Sequence, residues 1–198
     1  MNLGSISIIL AFLATIFSGF YYLRLMRSES AQELKKNKKG KKKADNSSAL
    51  KNARAGYYIM AGMVTIASIF LFYLFLTYQF QYKYVYGYSS RDLPIGYLIS
   101  SFWAGQEGSF LFWTLVNAWL GLLFIKIAKN YESHSMFLFS IIQLFFLAIL
   151  IKASPFTTFA QTPPDGSGLN PLLQNFWMVI HPPVLFIGYA AAAFPFIL

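Results

Sequence analysis

The sequence contains no cysteine, so disulfides and thiolate metal centres are excluded. Histidine is nearly absent too, with only His134 and His181. Charged residues make up 12% of the 198, too few to cover the surface of a soluble domain of this length. Negative charge is scarcer still, with seven Asp and Glu against sixteen Lys and Arg, and eleven of the basic residues fall between Arg24 and Arg54. The net charge of +9 is therefore mostly one segment. A run of this kind can bind nucleic acid, but its place between two long apolar stretches argues for a loop that sets topology and touches anionic lipid head groups. No basic segment precedes the first apolar run, so the N-terminus is not read as a cleaved signal peptide.

What is present is apolar length. A hydrocarbon core of about 30 Å needs roughly 20 apolar residues as helix. Leu3–Leu23 and Tyr57–Tyr78 meet that length without one charge; Ser109–Ile125 and Ser135–Ile151 are charge-free but shorter, and Phe176–Leu198 is a fifth such stretch. The expected fold is an all-α polytopic integral membrane protein with about five transmembrane helices and external interfacial segments. Its divisions are a first span at 1–23, a basic cytoplasmic loop at 24–56 and a membrane domain at 57–198, with later spans near 57–78, 109–125, 135–151 and 176–198.

Alternation of sides puts the N-terminus outside and the basic loop inside, with thirteen basic residues on cytoplasmic loops and Lys83, Arg91 and Lys152 on external ones. That split follows the positive-inside rule. In the first external segment Tyr82, Tyr84, Tyr86 and Tyr88 recur every second residue, a strand-like period that reads as an aromatic belt at head-group level. After Pro94, the run Ile95, Tyr97, Leu98, Ile99, Phe102 and Trp103 reads as a helix lying flat on the membrane. The stretch Pro163–Gly168 is turn chemistry throughout.

Three constellations stand out. In Trp103–Ser109 the acidic Glu107 lies at a membrane boundary between glycines. It either complements a helix N-terminus or orients a ligand in an external cleft. In His181-Pro182-Pro183, Pro182 suits the first turn of a helix, which places His181 at the external mouth of the fifth span. An imidazole there is a helix cap, a head-group hydrogen-bonder, or a ligand for a metal or haem iron. The run Lys35–Lys43 reads as a solvated, mostly disordered tether with no catalytic role.

Leu93-Pro94, Trp103 to Trp113, Ser154-Pro155-Phe156, Pro164-Asp165-Gly166, Leu169 to Gln174, and His181-Pro182-Pro183 with Gly188-Tyr189 occur in one order. Together they closely resemble the N-terminal part of the haem lyases of cytochrome c maturation, the CcmF/NrfE family. The resemblance runs from about Tyr84 to Phe196. It implies a membrane protein that handles haem on its external face, where haem from a periplasmic chaperone joins the two thiols of a Cys-x-x-Cys-His segment in apocytochrome c. The family's histidine before two prolines is an axial ligand of haem iron, and His181 occupies that position. Trp103, Glu107 and Arg91 are candidates for the haem environment, with Arg91 as partner of a propionate and Trp103 at the macrocycle edge.

The chain also departs from the family. Its members are several times longer and carry a tryptophan-rich external segment, a second external histidine and transmembrane histidines for a haem b, none of which is present. The expectation is a haem-handling subunit of cytochrome c maturation in the bacterial plasma membrane, part of a lyase and incomplete alone. Its expected partners are apocytochrome c, a periplasmic haem chaperone, other maturation membrane proteins, the C-terminal half of the lyase and membrane lipids, with no nucleic acid. The alternatives are a non-enzymatic transporter or scaffold subunit and an inactive N-terminal fragment. The apolar ending Phe196-Ile197-Leu198 reads as a span that stops without caps.

Overall fold

A computed structural model describes residues 2–33, 41–127 and 131–197. Among the described residues, seven α-helices follow one another: α1 (Leu3–Glu33), α2 (Lys41–Leu76), α3 (Lys83–Tyr88), α4 (Ile95–Ser100), α5 (Gln106–Ile127), α6 (Glu132–Lys152) and α7 (Phe176–Ile197). Single 3-10 turns occupy Ser101–Trp103 and Pro171–Leu173. Five of the helices are long and apolar enough to cross a membrane, at Leu3–Glu29, Asn46–Leu76, Gln106–Ile127, Glu132–Lys152 and Phe176–Ala193. The protein is the all-α polytopic membrane protein that its apolar runs predict.

The bundle is built outward from α1. This helix packs along α2 and α6, α2 also packs on α5, and α5 joins α6 to α7. Small residues let α1 and α2 approach until the Ser18 hydroxyl donates to the Ala53 carbonyl at 2.8 Å. Other buried hydroxyls are satisfied inside their own helix: Thr15 on Ala11, Ser68 on Val64, Thr114 on Phe110 and Ser140 on Met136. Back-bonding of this kind is how a hydroxyl is accommodated where no water is present.

At one end, the basic end, the Arg54 guanidinium donates to both carboxylate oxygens of Glu132 at 2.8 and 2.6 Å. The Tyr22 hydroxyl donates to the same carboxylate at 3.2 Å, so α1, α2 and α6 share one charged knot. Beside it the Ser133 hydroxyl donates to Glu29, whose carboxylate also faces His134 Nδ1 at 3.9 Å. Here the structure departs from the expected basic loop at 24–56. Helix α1 continues to Glu33 and α2 begins at Lys41, so Arg24, Arg27, Lys51 and Arg54 extend the two helices beyond their apolar windows. Tertiary packing explains this, since Tyr22, Leu25, Ala49 and Ala53 are all buried. The middle of the tether, Lys35–Gly40, lies outside the described residues, as does Leu198, the last residue of the span read as uncapped.

At the other end, α3, α4 and the segment 153–175 form a platform. An isolated antiparallel bridge joins Tyr82 to Thr158, with Lys83 N–H on the Thr157 carbonyl at 2.8 Å and Phe159 N–H on the Gln81 carbonyl at 2.8 Å. The expected aromatic belt is corrected here. From Lys83 the tyrosines are helical, and residues two apart on a helix diverge. Tyr82 and Tyr84 are buried, whereas Tyr86 and Tyr88 are half-buried. The pair that meets is Tyr84 and Tyr88, four apart, with centroids separated by 4.7 Å. The run read as an interfacial helix is helical in two short pieces, α4 and the 3-10 turn that follows it. Helix α4 is one short turn and a half whose Leu98 packs into the core with Phe102, leaving only Ile95 and Ile99 among its large apolar residues outward.

Candidate functional site

The platform is organised by one hydroxyl. Tyr84 Oη donates to the Phe102 carbonyl at 3.0 Å and accepts from Gly105 N–H at 3.0 Å, within 3.4 Å of the Gly105 carbonyl as well. Burial pushes the Tyr84 phenol up, so it stays protonated and can make both contacts. The glycines of Trp103–Ser109 now have a physical reason. A Cβ at Gly108 would overlap the Phe102 carbonyl oxygen and the Tyr84 hydroxyl, and one at Gly105 would overlap the Tyr88 ring. Ser109 closes the turn by donating to the Trp103 carbonyl at 2.8 Å. These contacts hold Trp103 at the entry of α5.

The opposite wall comes from Leu169–Gln174. Asn170 Oδ1 accepts from Leu172 N–H at 3.0 Å, Pro171 opens the 3-10 turn, and Gln174 donates to the Leu169 carbonyl at 2.9 Å. Leu169 is thereby buried and Leu173 turned inward. Asn175 then caps α7, its side chain accepting from Trp177 N–H at 3.0 Å.

This cap corrects the expected position of His181. The helix starts at Phe176, so Pro182 and Pro183 lie in its second turn rather than its first. Neither proline has an N–H, so the Met178 and Val179 carbonyls lose their usual donors four residues on. His181 is thus one turn inside α7 rather than at its mouth, and its side chain is exposed.

Trp103, Ser109, Leu169, Leu173, Met178 and His181 surround one cavity of about 180 Å3. Two motifs some eighty residues apart in the chain therefore meet, one carrying Trp103 and the other His181. Arg91 and Glu107 do not line this cavity. The Arg91 guanidinium lies 5.8 Å from the Phe80 ring centroid, and its backbone N–H donates to Asp165 Oδ1 at 3.1 Å. Glu107 sits half-buried in the first turn of α5. Burial, and secondarily the Glu107 charge, raises the neighbouring Tyr88 phenol. Among the described residues, no group of three or more His, Cys, Asp or Glu could hold a metal ion.

On α7 the positions three and four residues either side of His181 are Trp177, Met178, Val184 and Leu185, all exposed. The imidazole therefore stands in an open apolar face with the small cavity at its edge. Sequence reasoning passed over Tyr84, Leu169 and Leu173 as individual residues of the site. A tyrosine among four alternating ones carries no mark that its hydroxyl is the buried one.

Residues 103–198 match the family described as cytochrome C assembly protein. The cytochrome c-type biogenesis protein CcmF of Haemophilus influenzae is 35% identical over 157 residues, which cover 76% of this chain and 24% of that protein. NrfE of the same organism is 33% identical over 114 residues, 55% of this chain and 18% of NrfE. CycK of Bradyrhizobium diazoefficiens is 33% identical over 108 residues, 52% of this chain and 16% of CycK. A solved structure titled cytochrome c heme lyase CcmF shares the fold, with a TM-score of 0.72 at 22% identity, over 98% of this chain and 28% of that one. The chain thus spans about a quarter or less of the length of these curated relatives.

Proposed function

The chain belongs to the cytochrome c assembly family of CcmF and NrfE, and from that membership we propose that it is a haem-handling membrane component of cytochrome c maturation. The observation that carries this reading is His181, an exposed imidazole in the apolar face of α7 beside the cavity it shares with Trp103. A cavity of about 180 Å3 is smaller than the roughly 300–1,000 Å3 of sites that enclose a ligand. It does not take a whole macrocycle, so the fit is to an open face rather than to a closed pocket. Trp177, Met178, Val184 and Leu185 offer the apolar surface that a flat porphyrin needs, and a neutral imidazole is an ordinary axial ligand for haem iron.

In this reading His181 would hold the haem iron, Trp103 would border the bound group, and the exposed apolar face of α7 would exclude water from it. Bound haem supplies the unsaturated side chains to which two cysteine thiols of apocytochrome c add. Arg91 and Glu107 act at a distance from this face, by anchoring the platform and setting its charge. The basic end lies in the cytoplasm of a bacterial plasma membrane and the platform lies outside, with anionic lipid at the basic end. A periplasmic haem chaperone, other maturation membrane proteins and a further part of the lyase are the partners this reading requires.

His181 is the only histidine this chain gives such a haem. His134 lies at the far end of α5 and α6, and the 22 residues of α5 extend about 33 Å. Met178 shares a wall with His181 and approaches from the same side. A second ligand would then have to come from another polypeptide or from further chain, and residues 1–198 alone would not complete ligation.

The test is His181→Ala in an assembly that matures cytochrome c. Loss of the external haem band, with partial recovery on added imidazole, is the expected result. Normal maturation by the variant would remove the ligand assignment. A chain that copurifies without haem under conditions where its assembly is active would favour the scaffold reading instead.

A further inference from the structure

The indole of Trp103 is fixed by packing. Its ring lies against Phe112 with centroids 5.6 Å apart, and Phe112 in turn meets Phe186 of α7 at 5.9 Å. Its Nε1–H is buried and has no hydrogen-bond partner among the described residues. A buried donor left unpaired is costly, and the indole N–H usually finds an acceptor. The hydroxyl donors on the cavity wall are already committed. Ser100 donates to the Tyr97 carbonyl at 2.9 Å and Ser109 to the Trp103 carbonyl at 2.8 Å. Trp103 is thus a wall residue with a donor to spare, and it calls for an acceptor.

Size and lining narrow what that acceptor is. About 180 Å3 excludes a macrocycle and admits a short side arm. No Asp or Glu lines the cavity, which lies between the first turns of α5 and α7, the sources of Ser109 and Met178. Glu107, in the same turn of α5, does not line it. The positive ends of two helices favour an anion there. Among the arms of a haem, methyl and vinyl groups accept no hydrogen bond, whereas the propionates do. Arg91, the residue that the sequence suggests for a propionate, does not line the cavity.

We propose that the cavity beside His181 seats a haem propionate and that Trp103 Nε1–H is its donor. This rests on haem ligation by His181. It makes Trp103 the residue that sets which edge of the ring faces the protein. Haem carries its propionates and its vinyls on opposite edges. With a propionate at Trp103, the unsaturated arms would lie on the far edge, open to incoming thiols. Water in the cavity would also satisfy the N–H, but it would give no preference between ring edges.

The test compares ferric mesohaem with ferric etiohaem, which differ only in that ethyl groups replace the propionates. Both are titrated into the full chain in detergent and followed by the Soret band. In a second protein 3-benzothienylalanine replaces Trp103, which keeps the two rings and exchanges the N–H for sulfur. The exchange should weaken mesohaem roughly 10- to 100-fold, the range for one hydrogen bond to a charged group, and leave etiohaem unchanged. Without ligand, the melting temperature should be unchanged or raised, since the donor removed had no partner. An equal effect on both porphyrins, no effect on either, or a lowered melting temperature would overturn the proposal. His181→Ala should weaken both porphyrins alike, because both carry the iron. If it weakens neither, or neither binds, the ligand reading fails and the proposal with it, so the two failures are told apart.

Discussion

The Tyr84 hydroxyl and the Gly105 backbone N–H lie 3.0 Å apart, and this contact joins α3 to the turn that carries Trp103. The same oxygen donates to the Phe102 carbonyl, so one side chain closes both strands of the turn. The Trp103 wall of the cavity depends on a residue nineteen positions earlier that lines no part of it.

Tyr84→Phe should therefore loosen the site without touching it. The change leaves two buried backbone groups unpaired and should cost about 1–3 kcal/mol. Thermal unfolding in detergent measures it, and faster proteolysis within 89–105 locates it.

The same tyrosine sets an alkaline limit. Its phenol is raised above the ordinary 10.0, first by burial, so the folded form keeps its proton where the unfolded chain loses it. Stability is full below about pH 10 and falls as pH rises beyond that value, because the folded state then binds more protons. Tyr84→Phe should flatten this part of the stability profile. An equally steep loss in the variant would assign the alkaline transition to other groups.

Gly108→Ala should be worse than an ordinary glycine-to-alanine change in a helix. Its new methyl would meet the Phe102 carbonyl and the Tyr84 hydroxyl, so the turn must move. An overpacking cost of about 1–3 kcal/mol is expected where helix propensity alone predicts a gain. Thermal unfolding of this variant beside Gly188→Ala, whose Cβ meets nothing, separates crowding from propensity.

At the basic end, Glu132→Ala should strand Arg54 and cost about 1.5–3 kcal/mol, the range for hydrogen bonds to charged groups. Replacing both partners with apolar residues, Arg54→Met with Glu132→Leu, should restore much of that loss. Denaturation of the single and double variants decides it, and additive losses would show that the pair is not coupled.

Orientation is testable by reporters active only outside the membrane. They should work at the N-terminus and after Ser167 and fail near Gly40. Carrying one lysine or arginine to the middle of a span is disfavoured by about 2.5–3.5 kcal/mol, and eleven cluster between Arg24 and Arg54. An active reporter near Gly40 would reverse the sides assigned to His181 and to the basic end.

Periodicity and length by themselves determined the five apolar helices, because about twenty uncharged residues in water-free surroundings have little choice but helix. The ordered motifs likewise pointed to the family, since their residue types and order are legible in any local conformation. Tertiary structure alone decided the rest. An alternating tyrosine run suits strand or helix until packing against Phe75 and the Phe102 turn chooses helix and buries Tyr84. His-Pro-Pro looks like a helix start until Asn175 takes the cap six residues earlier. Arg91 and Glu107 read as candidates for the haem environment, yet neither lines the cavity beside His181, and Arg91 lies instead against Phe80 and the Asp165 loop. Each of these outcomes depends on a contact between residues distant in the chain, and local pattern carries no record of which distant group will arrive.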